Sequence, residues 1–232
     1  MEARIALTAL LPLLPVAEKR EEKRAFAVSG SLWRTLGDRT LLVVSLAAAA
    51  AQFVTFATTY GFIPVYADGL GASRAQLGWL TSASQIAYVL SSLGVGFLIA
   101  SRSEKGLALA GLAAMGAAAF WAPAIHSVPL LFVNRILHGL GNGLAYPVLM
   151  GLAIKHVPGE RRALAMGAFQ AIYALGMFAG PTLSGFQARW SGVPSVFISS
   201  GLLIALTIPF VVWGLRQESR AQSMIQAQGE SK

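Results

Sequence analysis

The sequence predicts an all-α fold, an integral membrane six-helix bundle. Of its 232 residues, 55% are hydrophobic and only 12% are charged, and the mean hydropathy is +0.61. A soluble domain carries about twice that share of charge. Several apolar runs approach or exceed the roughly 20 residues that cross about 30 Å of hydrocarbon. The six runs are Thr40–Val65, Ala75–Ile99, Gly106–Ala124, Leu130–Ile154, Leu164–Phe186 and Pro194–Leu215.

The apolar runs favour helices, and the remaining composition argues against an enzyme. The runs lack the period-two alternation that a membrane β-barrel needs. Backbone groups in lipid must find partners within their own segment, as they do in a helix. The chain has no cysteine, which excludes disulfides, thiolate metal sites and catalytic thiols. The His-Glu-x-x-His spacing of metalloproteases is absent, and no convincing Gly-x-Ser-x-Gly elbow occurs. We therefore expect no enzymatic activity, no cofactor and no metal site.

Lys and Arg residues fall mainly on one side of the predicted bundle. Fourteen lie in residues 17–39, the second and fourth connections and the carboxyl-terminal tail, against two, Arg74 and Arg189, on the opposite side. The positive-inside rule places the basic side in the cytoplasm. The net charge of +8 thus reflects topology, and we expect no nucleic-acid partner. The expected protein is a multi-pass protein of the cell inner membrane with both termini cytoplasmic.

The chain divides into four predicted segments. Residues 1–16 contain the apolar stretch Ile5–Val16, which is interrupted by Pro12 and Pro15 and is too short to span a bilayer. We interpret it as a partial helix remnant; a signal-like or interfacial segment and plain disorder are the alternatives. Residues 17–39, with the run EKREEKR, form a charged cytoplasmic linker, residues 40–216 the transmembrane bundle, and residues 217–232 a disordered cytoplasmic tail.

Polar side chains are concentrated on one face of the first, second, fourth and fifth spans. Because polar groups in the membrane face protein or water, these faces should surround a shared space. The third and sixth spans lack such a stripe and look suited to lipid. No Asp or Glu lies within any span. The candidate solute-binding residues are Gln52, Gln85, Tyr88, Arg135, His138, Asn142, Gln170 and Tyr173.

For Gln85, Gln170, Tyr88 and Tyr173 a structural role is the alternative to lining the cavity, and Arg135 and His138 have alternatives of their own. Arg135 lies about five residues into its span, where its side chain could reach the outer surface, bind a solute or bond a carbonyl of a neighbouring helix. His138 is either a pH-sensitive neighbour of that charge or a hydrogen-bonding core residue. Thr55 and the pair Ser91 and Ser92 are expected to act as interhelical packing residues.

Glycine pairs mark two predicted helix contacts. Gly139 and Gly143 form one G-x-x-x-G pattern, and Gly176 and Gly180 form another. In an apolar helix this spacing lets a neighbouring backbone approach closely. Pro181 directly follows the second pattern and favours a bend there. We assign these five residues to helix packing.

Three stretches of the sequence resemble the major facilitator superfamily (MFS) of transporters. Arg135, Gly139 and Gly141 are similar to the family's R-x-x-x-G-x-G pattern in a fourth helix. The segment Gly176–Pro181 is similar to the G-x-x-x-G-P signature associated with antiporters. The connection between the second and third spans departs from the family's acidic loop pattern, because Ala100 stands where an acid is expected.

The resemblance implies one six-helix half of a twelve-helix MFS fold. In that fold the first, second, fourth and fifth helices line the cavity, the third and sixth face lipid, and solutes bind near the midplane between halves. The charged linker after the apolar stub favours the C-terminal half. The implied function is transmembrane transport of a small solute by an efflux-type secondary transporter, in which this half-unit needs a complementary half or a homodimer. The alternative is a non-transporting truncated fragment or a partner-binding membrane module.

Overall fold

The computed structural model describes residues 37–229, and side-chain surroundings for residues 37–216. The predicted helix remnant at 1–16, and all of the predicted linker except residues 37–39, lie outside the described residues. Between residues 37 and 229 the chain is helical and contains no strand.

Six long helices make up the described chain. All six are long and apolar enough to cross a membrane, which confirms the predicted all-α membrane bundle. The last helix continues past residue 216, where the predicted bundle ends and the predicted tail begins. The division into four segments stays a prediction. The helices are α1 (Arg39–Gly69), α2 (Arg74–Ile99), α3 (Glu104–Trp121), α4 (Val128–Lys155), α5 (Gly159–Ser191) and α6 (Val193–Gly229).

Capping side chains and one glycine define the short connections between these helices. Asp38 accepts a hydrogen bond from the Leu41 N–H at the start of α1 (3.1 Å). Ser73 and Gln76 form a reciprocal capping box at the start of α2. A single residue, Gly192, joins α5 to α6 with φ of +78°, a conformation that glycine adopts without steric cost.

Helix α1 contains a π-helical segment, Thr55–Phe62, in its middle. The Ile63 N–H donates to the Thr58 carbonyl, five residues earlier. Pro64 explains the change of register, because it has no N–H to donate to Tyr60 and its ring would clash with that carbonyl in a regular helix. Segments of this kind are frequent at functional sites because they re-aim side chains.

Helix α4 lies against α2 through the first glycine pair. Gly139 and Gly143 present their Cα atoms to the backbone carbonyls of Ser84 and Tyr88 in α2. A Cβ atom at either glycine would overlap the carbonyl oxygen it faces. The two helices therefore meet at backbone distance, as the spacing of the pair predicts.

Two further glycine contacts fix the neighbouring helices. Gly141 of α4 faces Gly111 of α3, and a Cβ at Gly141 would lie 2.7 Å from the Gly111 carbonyl oxygen. Gly176 and Gly180 of α5 face backbone carbonyls of α1. The bundle therefore contains two backbone-close sets, α2–α4–α3 and α1–α5.

Helix α3 has one face packed tightly inside the bundle. The absence of a polar stripe suggested a lipid-facing helix, but half of its apolar window is buried, against 17% for α2 and 28% for α5. Leu112 and Met115 are fully buried in the main core. Small residues, including Gly111 and Gly116, let α4 and α6 approach α3 closely. Close packing therefore accounts for one face of α3, and contact of its other face with lipid stays a prediction.

Candidate functional site

A cavity of about 190 Å³ lies between α1, α2 and α4. The π-helical segment of α1 supplies part of one wall, and the polar stripes of α2 and α4 supply the facing walls. The cavity is lined by Gln52, Thr55, Phe56, Tyr60, Gln85, Tyr88 and Asn142.

Three side-chain amides in this lining are available to a ligand. Within residues 37–216, the amides of Gln52, Gln85 and Asn142 make no hydrogen bond to the protein. Asn142 is only 6% exposed, and its Oδ1 atom is buried without a partner. A buried polar atom without a partner costs about 1–3 kcal/mol. Since each amide both donates and accepts, the cavity offers hydrogen bonds of both directions.

Aromatic rings form the other part of the cavity lining. Phe56 and Tyr60 pack against each other with ring centroids 5.0 Å apart, and Tyr88 comes from α2. The sequence prediction missed Phe56 and Tyr60. The available signal was Pro64, one turn beyond Tyr60, which marks an irregular turn in α1.

The Arg135 side chain lies behind the cavity and joins three helices. It is fully buried, so it does not reach the outer surface. Its Nε and Nη2 atoms donate to Asn134 Oδ1, and its Nη1 atom donates to Thr59 Oγ1 of α1 at 3.0 Å. Asn134 Nδ2 in turn donates to the Ala118 carbonyl of α3 at 2.8 Å. Of the alternatives for Arg135, the geometry favours a contact that holds α4 to a neighbouring helix.

The buried guanidinium has neutral partners only. Among the described residues no carboxylate lies within ion-pair distance of Arg135. Removing a charge from water costs several kcal/mol unless hydrogen bonds compensate, and here two neutral oxygens, Asn134 Oδ1 and Thr59 Oγ1, provide that compensation. Within residues 37–216 no negative charge therefore neutralises the guanidinium. Its partner Thr59 directly precedes Tyr60, which lines the cavity.

His138 links α4 to α1 one turn away from Arg135. Its ring is 1% exposed, and its Nε2 atom lies 3.3 Å from Thr55 Oγ1. The Thr55 hydroxyl donates to the Ala51 carbonyl at 3.0 Å. Because a hydroxyl has one hydrogen, Nε2 must carry the proton and donate to Thr55. The arrangement is that of a hydrogen-bonding core histidine, which was one of the two alternatives.

Residues 43–231 match the family described as the Major Facilitator Superfamily. The chain belongs to the major facilitator superfamily. Quinolone resistance protein NorA of Staphylococcus aureus strain MRSA252 is 27% identical over 150 residues, which cover 65% of this chain and 39% of NorA. The uncharacterized MFS-type transporter YwoD of Bacillus subtilis strain 168 is 32% identical over 141 residues, 60% of this chain and 29% of YwoD. The matched segment thus spans less than half of each relative.

Family membership confirms the predicted MFS resemblance and a multi-pass protein of the cell membrane. The fold of the MFS chain brings four of the predicted solute-binding residues together in the cavity: Gln52, Gln85, Tyr88 and Asn142.

The other four predicted residues lie elsewhere. Arg135 and His138 are behind the cavity, bonded to α1. Tyr173 packs edge-on against Tyr146, with centroids 5.6 Å apart, and Gln170 is exposed on α5 outside the cavity lining. Their roles in solute binding stay predictions.

Proposed function

We propose that this MFS chain carries a small solute across the cell membrane as a half-unit of an efflux-type secondary transporter. The observation that supports the proposal best is the set of three amides, Gln52, Gln85 and Asn142, which face one cavity without protein partners. Unsatisfied amides in a membrane protein are costly unless a ligand or water uses them. The efflux direction is supported by the name of NorA, a resistance protein.

The cavity chemistry suits a solute part that is uncharged, flat and able to form hydrogen bonds. Amides and the phenol groups of Tyr60 and Tyr88 can bond carbonyl, hydroxyl or amine groups, and the rings of Phe56 and Tyr60 offer faces for stacking. No ionised side chain belongs to the lining formed by the described residues. Arg135 lies behind the wall, so its field favours an electron-rich atom of the solute.

The cavity volume supports a site that is completed by a second six-helix unit. About 190 Å³ is below the roughly 300–1,000 Å³ typical of small-molecule pockets. Large apolar side chains are exposed on α2 and α5, with Phe97 84% and Phe178 74% exposed. We propose that a complementary half or a second copy packs there and brings Gln170 and Tyr173 next to the shared site. Rocking of one unit against the other would then give alternating access.

A cellular accumulation assay tests the transport proposal. Cells lacking their own efflux pumps would express the full chain, and a fluorescent quinolone would serve as the probe, chosen because of NorA. We expect lower accumulation with the chain than without it, and recovery of accumulation in Asn142→Ala and Gln85→Ala. Ser92→Ala is the matched control on α2, because the Ser92 hydroxyl bonds its own helix at the Val89 carbonyl.

The outcomes separate transport from the alternative. If the cavity variants and Ser92→Ala lower accumulation equally, the cavity does not hold the solute. If the chain is inserted in the membrane and accumulation is unchanged, the chain is a non-transporting fragment or partner-binding module. Co-purification in detergent identifies the assembly, because a monomer without any partner would contradict the half-unit proposal.

A further inference from the structure

A second groove, of about 410 Å³, opens at the end of the bundle where α2 ends and α3 begins. Its polar residues come from the α2–α3 connection, the start of α3 and the end of α4, and its apolar residues come from α2, α4 and α6. The lining includes the charged residues Arg102, Glu104, Lys105 and Lys155 and the apolar residues Ile99 and Leu152. The proposed solute transport does not involve this groove.

The groove carries three cationic side chains and one carboxylate. Lys155 pairs with Glu104, with Nζ 2.8 Å from Oε2, so these two charges cancel. Lys105 Nζ donates to the Val212 carbonyl of α6 at 3.3 Å, which uses one of its three donors. The exposed guanidinium of Arg102 makes no hydrogen bond or ion pair with any residue from 37 to 216. Arg102 and Lys105 therefore keep donors that a negatively charged ligand in the groove can use.

The groove lies at the depth of the membrane interface. Trp213 follows the residue whose carbonyl Lys105 binds, and its ring is 56% exposed with Arg39 4.4 Å above it. Tryptophan and arginine together are typical of the headgroup level. The groove thus has its cations at headgroup level and its apolar floor, Ile99 and Leu152, towards the hydrocarbon.

We propose that this groove binds an anionic phospholipid, with the phosphate on Arg102 and Lys105 and the upper acyl chain against Ile99. A guanidinium binds phosphate oxygens through two parallel hydrogen bonds. Basic pockets between membrane helices are suited to anionic headgroups. The apolar floor distinguishes a lipid from a free phosphate, which would gain nothing from Ile99 and Leu152. The lipid site is independent of the transport proposal, since it shares no residue with the solute cavity.

Quenching of Trp213 fluorescence by brominated lipids tests the proposal on the full chain. The chain has five tryptophans, so the other four are changed to Phe to make Trp213 the only reporter. The protein is placed in phosphatidylcholine nanodiscs that contain a small fraction of brominated phosphatidylglycerol or brominated phosphatidylcholine. We expect stronger quenching by the anionic lipid, and Arg102→Gln should reduce that preference by about fivefold, the contribution of one basic residue at a membrane surface.

Arg161→Gln is the matched control. Arg161 is exposed at the same end of the bundle but does not line the groove, so its loss removes the same charge and should leave the preference unchanged. Lipid retained after purification of the native-tryptophan chain, compared between wild type and Arg102→Gln by mass spectrometry, gives a second measurement if the tryptophan-reduced variant folds poorly.

Three results would overturn the proposal. Equal quenching by the two brominated lipids would mean that the groove has no anionic lipid. Equal effects of Arg102→Gln and Arg161→Gln would mean that only the overall surface charge matters. Loss of the preference on addition of soluble glycerophosphate would identify a free phosphate compound, not a lipid, as the ligand.

Discussion

The substitution Gly139→Ala tests whether backbone contact between α2 and α4 sets the stability of the bundle. The new Cβ would overlap the Ser84 carbonyl oxygen and lie 2.9 Å from the Cβ of Ala87. These are atoms of a packed helix, so α2 must move away as a unit. Overpacking of this kind costs about 1–3 kcal/mol, and the higher helix propensity of alanine returns about 0.5–1 kcal/mol. The expected net loss of unfolding free energy is roughly 0–2.5 kcal/mol, with a central value of about 1 kcal/mol.

Gly151→Ala is the matched control on the same helix, because a Cβ there meets no atom within 4 Å. It should be neutral or stabilising by up to about 1 kcal/mol. The two variants should therefore differ by about 2 kcal/mol, or about 30-fold in the unfolding equilibrium constant. Unfolding by SDS in detergent micelles, followed by circular dichroism, measures that difference. Equal midpoints for the two variants would show that the α2–α4 contact does not limit stability, and the reasoning would be wrong.

Two further predictions concern the arginine network and the topology. Thr59→Val keeps the side-chain shape but removes the acceptor of the Arg135 Nη1 donor. It should lower the unfolding free energy by about 1.5–3 kcal/mol in the same SDS titration. A loss below about 0.5 kcal/mol would contradict the network. For the topology, the chain has no cysteine of its own, and His126 and His156 are both exposed in connections at opposite ends of α4. A membrane-impermeant maleimide added to intact cells should label His126→Cys and leave His156→Cys unlabelled, and the reverse result would refute the cytoplasmic placement of the termini.

The sequence predicted the six spans well because hydropathy and length determine which segments cross a membrane. Each predicted span lies within its helix apart from the end of the third, where the chain passes from α3 into a short 3₁₀ turn at Ala122–Ala124. The glycine spacing also predicted which faces of α4 and α5 meet a neighbouring backbone. These features depend on local patterns, which a single sequence displays.

The angular orientation of α4 could not be predicted from its polar stripe. Arg135, His138 and Asn142 share one face by spacing, yet only Asn142 lines the cavity. The rotation of α4 is fixed by glycine contacts on two sides, with Gly139 towards α2 and Gly141 towards α3. A stripe identifies a polar face, but the neighbours decide which part of that face meets the cavity.

The π-helical segment of α1 could not be predicted from the sequence, for a different reason. Pro64 indicates that one hydrogen bond is lost, but it does not say whether the helix kinks, ends or widens. The observed widening brings Phe56 and Tyr60 into the cavity lining. The close packing of α3 against α4 and α6 was likewise not predicted, because it depends on where those helices lie.

Under the proposed function, the unpaired amides of the cavity also set how long a solute stays. Each hydrogen bond that Gln52, Gln85 or Asn142 makes to a solute replaces one to water, so its net contribution is about 0.5–1.5 kcal/mol. Three such exchanges raise the affinity by only about 10–2,000-fold. An ion pair at the same place would hold its ligand more firmly and release it more slowly. In the proposed transporter, a cavity lined by neutral amides therefore favours rapid turnover over tight capture.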